Sequence, residues 1–291
     1  MTIFGQNQRT IQNKISCFGR GVHSGDPVHL SLVPAEENTG ISFIRTDLKE
    51  NNVIPANYLN VSDTKLCTTI SNEFGTQIST VEHLMAALWG CGIDNVIIEV
   101  NNQEIPIMDG SSEPFVFLIE CAGIKEQQAK RKFIAVKEEV EIHEGDAYIK
   151  ISPAENFEVD IKINFPNSTV IGTQHHNVSS ETLCFKTEVS RARTFGFAHE
   201  VAYLQKIGLA KGGSLENAIV VDGDTILNQD GLRFNNEFAR HKLLDCIGDM
   251  YLAGCYIKGK VSGYCSGHKL NNMLLRRLFE SNGAYEVNAG H

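Results

Sequence analysis

The sequence predicts an α+β protein made of two similar β/α sandwich domains that arose by internal duplication. Three observations lead there. Segments alternating polar and apolar residues open each half; a helical run follows late in each half; and the order helix, glycine, strand, polar turn, helix closes both. The 291 residues exceed the usual size of a single core, and a 42% hydrophobic share with 21% charged residues is that of a chain able to bury one.

In the first half, Val28 to Val33 and Ile41 to Ile44 alternate between Gly, Pro and Asn boundaries and read as strands. Ser79-Thr80 then precedes Val81, Leu84, Met85 and Leu88 at helical spacing, closed by Gly90 and Gly92. A strand over Asn95 to Val100, a turn over Met108 to Ser112 and an apolar helix over Pro114 to Ala122 complete this half. Lys125 to Lys132 reads KEQQAKRK, the most polar short stretch in mid-chain, and divides the chain into domains 1–126 and 127–291.

The second half repeats the order. Strands over Phe133 to Ile142, Tyr148 to Ile151 and Phe157 to Phe165 lead to a helix from about Glu237 to Ala253. Gly254, a strand over Tyr256 to Tyr264, a turn at Cys265-Ser266-Gly267-His268 and a helix from about Lys269 to Glu280 follow. Glu82-His83 of one half then stands opposite Arg240-His241 of the other, so halves packed face to face would bring two histidines to an interface site. Residues 194–221 have no counterpart in the first half. They read as an insertion rich in apolar side chains, among them Phe195, Phe197, Val201 and Leu204, suited to holding a lipid tail or to plain core packing. No role is assigned to the residues after Glu280.

Charge and composition exclude several classes. A net charge of -9 argues against nucleic-acid binding, which needs a basic surface to displace counterions from phosphate. Met1 to Ser16 lacks the apolar stretch of a secretion signal, and no apolar run approaches bilayer length, so a cytoplasmic protein is expected. A peripheral contact with membrane lipid stays open. The eight cysteines form no CxxC pair and read as reduced thiols.

Three pieces can do chemistry. His241 and Asp245 lie at i and i+4, on one helix face with Phe238, Gly248 and Leu252, where both can grasp one ion or merely bond to each other. In Glu82-His83, the histidine can supply a third ligand and the carboxylate can take a proton from water. Ser79-x-x-Glu82 equally matches a capping box, in which Glu82 only bonds back to the helix start. In Ser266-Gly267-His268, a histidine at a glycine turn can give up a proton near neutral pH or simply cap a helix. Two imidazoles and one carboxylate form a catalytic rather than a structural zinc set. Gly19-Arg20-Gly21-Val22-His23-Ser24-Gly25 imitates a nucleotide loop, but Pro27 to Leu32 after it alternates like a strand, and a dinucleotide fingerprint must open a helix.

Several runs, in this order, resemble the UDP-3-O-acyl-N-acetylglucosamine deacetylases of lipid A synthesis. They are Gly21 to Gly25, Ser79-Thr80-Val81-Glu82-His83-Leu84, Ile105 to Ser111, Ser190-Arg191-Ala192-Arg193-Thr194-Phe195-Gly196-Phe197, Asp230 to Phe234, His241 through Asp249 and Ser266-Gly267-His268. The resemblance implies that His83, His241 and Asp245 hold zinc, or ferrous iron in the cell, and that Glu82 is the general base. By the same resemblance His268 is the general acid, held by Asp249; Thr194 donates to the oxyanion; and Lys242 supports the acetyl-bearing site. It implies an insertion forming an acyl passage with Phe195 and Phe197, and an acylated UDP-amino sugar as substrate. His23 and Cys67 would contact that substrate; Cys67, close to the metal-site wall, could also approach an inhibitory second zinc or be a buried spectator thiol. A monomer is expected. Two positions depart from the family pattern: Cys265 where many members have Lys, and Asn164 where an acidic residue often precedes the phenylalanine matching Phe165. The rivals are a metal amidase of the same fold acting on another acylated amino sugar, and a non-catalytic zinc-stabilised binding protein.

Overall fold

Helix α1 (Glu82–Cys91) is apolar on nearly every side, and Leu84 through Leu88 are completely buried. A helix of that composition can only be stable inside a core. The structure, a computed structural model, describes residues 5–180 and 185–289. Its other helices are α2 (Glu113–Ala122), α3 (Phe185–Glu188), α4 (Ala198–Lys206), α5 (Glu237–Tyr251) and α6 (His268–Glu280). The mixture of helices with several largely antiparallel sheets makes it an α+β protein.

Two sheets share one strand plan. In the first, Ile15–Arg20, Pro27–Pro34, Val96–Val100, Ile41–Arg45 and Val53–Pro55 lie side by side in that order. Val96–Val100, which follows α1, runs antiparallel to Pro27–Pro34 and parallel to Ile41–Arg45. In the second, Val140–Glu144, Ala147–Ser152, Tyr256–Tyr264, Phe157–Phe165 and Gly172–Ser179 form the matching path. Here Tyr256–Tyr264, which follows α5, runs antiparallel to Ala147–Ser152 and parallel to Phe157–Phe165. The second sheet adds Lys132–Val136 and Tyr285–Ala289 beside the start of Tyr256–Tyr264. Residues 194–221 carry α4 between the strands Phe195–Phe197 and Ile219–Asp222 of a small separate sheet.

Local expectations hold for most elements and fail instructively in three places. The capping box does not form: Val81 is the N-cap without a side-chain bond, and Ser79 Oγ donates to the Gln103 carbonyl instead. Phe133 to Ile142 is two strands broken at residues 137–139, and the polar strand Gly172–Ser179 carries no hydrophobic alternation to announce it. Most of the stretch KEQQAKRK lies in the strand Ile124–Lys130, which pairs with Asn7–Ile11. Directly after it Arg131 is fully buried; its guanidinium reaches the Asp94 carboxylate at 2.6 and 2.8 Å and the Gly92 carbonyl at 2.8 Å, and lies over the Tyr256 ring. Complete pairing is what lets an arginine sit in the interior. The described cysteines are unpaired thiols; Cys184 lies outside the described residues.

Candidate active site

The two central helices cross at Gly248 of α5. A Cβ there would lie 2.0 Å from the Glu82 carbonyl oxygen, so glycine is what allows the start of α1 to meet the middle of α5. Thr80, in the left-handed region at φ 59, turns the chain into α1 just before this contact.

At the crossing, His83, His241 and Asp245 converge, all buried, with one ligand atom from each lying within 4.8 Å of the others. Asp245 Oδ1 sits 3.5 Å from His83 Nε2 and 3.4 Å from His241 Nε2, and it has no hydrogen-bond partner although it is buried. A buried carboxylate oxygen without a hydrogen-bond partner, set between two imidazole nitrogens, is a donor set that could hold a metal ion. The protonation states suit ligands as well. Burial pushes His241 down to about 3, leaving a neutral ring. Burial alone would raise Asp245, but its neighbours His241, Lys242 and His83 outweigh it and hold the carboxyl well below its ordinary value.

A strap at residues 190–194 ties α1 to α5. His241 Nδ1 donates to the Ala192 carbonyl at 3.0 Å, which selects the tautomer with a free Nε2. The Arg193 backbone and guanidinium are gripped by buried Glu237 at the start of α5. The Ser112 backbone donates to the Ser190 carbonyl, and Ser112 Oγ donates to the His83 carbonyl at 2.7 Å.

Beside this cluster stand a carboxylate and an imidazole. Glu82 Oε1 lies 3.7 Å from His268 Nε2, while Glu82 Oε2 accepts the Thr68 backbone N–H at 3.0 Å. His268 is the first residue of α6, and its Nδ1 is 2.8 Å from Asp249 Oδ2. Burial raises the Glu82 carboxyl above its ordinary value, only partly opposed by His268 and His83. For His268 burial works against the charge, but Asp249 and Glu82 outweigh it and lift the ring to about 9. A carboxylate of raised basicity next to a charged imidazole is an acid–base pair.

This group forms the floor of a cavity of about 340 Å³ whose apolar wall is Phe195, Val201, Leu204, Leu215 and Val220 of the insertion, with Leu66 and Ile107 from the first half. Thr194 and Lys242 line it too; Lys242 Nζ holds Asp245 Oδ2 at 2.8 Å. His23 and Cys67 reach the same cavity. The loop carrying His23 wraps the Glu104 carboxylate, which accepts the His23 and Ser24 backbone N–H groups and the Ser24 hydroxyl. Burial pushes the Cys67 thiol up to about 12, with Glu82 adding to it, so it is a neutral wall group. Phe197 faces elsewhere: it lines a neighbouring hollow with Asn164, Phe165 and His199. Asn164 Nδ2 donates to the Tyr264 hydroxyl, and Cys265 Sγ donates to the Asn164 carbonyl at 3.9 Å, so the two departures from the family pattern touch each other there. Sequence reasoning missed Thr68, Asn271 and Glu237, whose partners lie far along the chain.

Residues 8–280 match a family model described as LpxC, UDP-3-O-acyl N-acetylglycosamine deacetylase. Similar proteins include a UDP-3-O-acyl-N-acetylglucosamine deacetylase of Shewanella sp. (strain W3-18-1), 48% identical over 96% of this chain and 92% of the relative. A protein of the same name from Shewanella oneidensis is 47% identical over the same shares.

Proposed function

Because the chain belongs to the UDP-3-O-acyl N-acetylglycosamine deacetylase family, we propose that the cluster at the α1–α5 crossing is its hydrolytic centre. The protein is an amide hydrolase: it removes the N-acetyl group of UDP-3-O-acyl-N-acetylglucosamine in lipid A synthesis, giving acetate and the free 2-amino sugar nucleotide. Family membership sets aside the reading as a non-catalytic binding protein.

The observation that carries the site assignment is the convergence of His83, His241 and Asp245 around an orphaned carboxylate oxygen, with Glu82 and His268 alongside. These three residues would hold the metal; two imidazole nitrogens and a carboxylate oxygen suit zinc, and also ferrous iron. When bound, the ion polarises the acetamide carbonyl and acidifies water at the site. Glu82, its basicity raised by burial, accepts the proton of the attacking water. His268, charged and steadied by Asp249, protonates the amine nitrogen as its bond to the acetyl carbon breaks. Thr194 donates its hydroxyl toward the carbonyl oxygen, and Lys242 adds positive charge on the same side.

The apolar wall of Phe195, Val201 and Leu204 supports a passage for the 3-O-acyl chain, and His23 at the cavity supports a polar contact to the sugar nucleotide. The hollow at Phe165 and Phe197, which shares Glu200 with the cavity, supports Phe197 as a further substrate contact. The matching strand plans support an internal duplication, with the domains divided at 126/127, within the polar strand Ile124–Lys130, and with the site at their interface. We read the protein as a cytoplasmic monomer with no nucleic-acid partner. No helix among the described residues is long and apolar enough to cross a membrane, and exposed Tyr203, Ile207 and Leu215 of the insertion support a peripheral lipid contact.

The test is acetate release from UDP-3-O-acyl-N-acetylglucosamine by the purified protein, before and after removal and restoration of zinc, with Glu82→Ala and His268→Ala alongside. Turnover that needs the metal and collapses in both variants supports these roles. Full turnover in either variant removes that residue from the mechanism.

A further inference from the structure

We propose that Thr68 is a positioning residue that ties the general base to the group orienting the general acid. It is 1% exposed and hydrogen-bonds both. Its backbone N–H donates to Glu82 Oε2 at 3.0 Å, and its hydroxyl donates to Asp249 Oδ1 at 2.6 Å. Its carbonyl accepts the Val81 N–H at 3.3 Å, which pins it beside the residue directly before Glu82. The inference rests on the roles proposed above for Glu82, His268 and Asp249.

Two consequences follow for the reacting groups. With Oε2 of Glu82 occupied, Oε1, 3.7 Å from His268 Nε2, is the oxygen left to take a proton from water. The Asp249 carboxylate is held at both ends, Oδ1 by Thr68 and Oδ2 by His268 and Asn271, so it cannot rotate. Glu82, Asp249 and His268 stand on three different helices, so no single backbone segment fixes their spacing. Thr68 couples the first two directly and the third through Asp249. A misplacement of about 1 Å at such a site costs on the order of 100-fold in rate.

The experiment separates this from ordinary packing. Thr68→Val keeps the shape and the backbone donor but removes the hydroxyl; Thr68→Ser keeps the hydroxyl. On the metal-loaded enzyme Thr68→Val lowers kcat about 10- to 100-fold with KM unchanged, and Thr68→Ser restores most of it. In an Asp249→Ala background Thr68→Val has no further effect, because the partner through which it acts is gone. In nitrogen-15 spectra of the wild type the His268 Nδ1 proton exchanges slowly, and in Thr68→Val it exchanges faster. Wild-type kcat in Thr68→Val, equal loss in the Val and Ser variants, or additive loss with Asp249→Ala overturns the proposal. If Thr68→Val does not fold, Thr68→Ala against Thr68→Ser makes the same comparison. Glu82→Ala and His268→Ala run in parallel: full turnover there means that the role assignment fails, whereas their collapse beside an unaffected Thr68→Val means that only the inference about Thr68 fails.

Discussion

His268 and Asp249 are joined by a 2.8 Å hydrogen bond from Nδ1 to Oδ2, and both side chains are buried. The bond points the other ring nitrogen at Glu82. Desolvation would lower the imidazole, but the Asp249 charge, with Glu82 and the bond itself, outweighs it and lifts the ring to about 9. An imidazole with a raised pKa is charged below that value and loses its proton as pH rises through it.

If charged His268 is the acid, kcat/KM should hold across neutral pH and fall as pH rises through about 9. Asp249→Asn removes the negative charge that does most to raise the ring, so the alkaline limb should move down toward or below the ordinary histidine value of about 6.5. A pH–rate profile of both proteins checks this; an unmoved limb assigns it to another group.

Asp245 Oδ1, proposed as the carboxylate ligand of the metal, stands 3.5 and 3.4 Å from the Nε2 atoms of His83 and His241. Zinc added to metal-free protein should raise Tm, because binding to the folded state alone stabilises it by about 2.7 kcal/mol at a hundred times Kd. In Asp245→Ala the rise should vanish at the same zinc concentration, and metal content after dialysis should drop. Calorimetry and elemental analysis read both, and an undiminished Tm rise would place the ion elsewhere.

Gly248→Ala puts a methyl group 2.0 Å from a backbone oxygen of α1, an atom with no side-chain freedom to retreat. The helices must part, at a cost of about 1–3 kcal/mol by the usual range for overpacking. Urea unfolding should show that loss, and kcat should fall further than stability alone explains because Glu82 and His83 ride on the displaced turn. Wild-type stability would mean that the crossing is more compliant than it looks.

Val220 lines the apolar wall of the cavity. Val220→Phe should shorten the acyl chain that fits, with each methylene denied burial worth about 0.8 kcal/mol, roughly four-fold in kcat/KM. Turnover of substrates with a graded series of acyl lengths tests it. A uniform drop at every length would show general damage rather than a measuring wall.

Much of this protein was decided locally and could be read directly. His241 and Asp245 share a face because the helix repeat places i and i+4 together, and the strands Tyr256–Tyr264 and Phe157–Phe165 follow from alternation and turn residues. The run of motifs in order was enough to indicate the family, and 48% identity over 96% of the chain agrees with it. What local pattern could not decide is which reading of an ambiguous residue wins. Ser79-x-x-Glu82 satisfies a capping box on paper, yet Glu82 turns inward because the Thr68 N–H and the His268 ring, from distant segments, meet its carboxylate. Arg131 sits in the most polar stretch of mid-chain and is nonetheless buried, since Asp94, Gly92 and Tyr256 surround it. Thr68 and Asp249 are 181 residues apart, and no periodicity links them. Spacing along a helix is set by backbone geometry, whereas a hydrogen bond between distant segments exists only once packing has brought them together, and that step belongs to the tertiary structure alone.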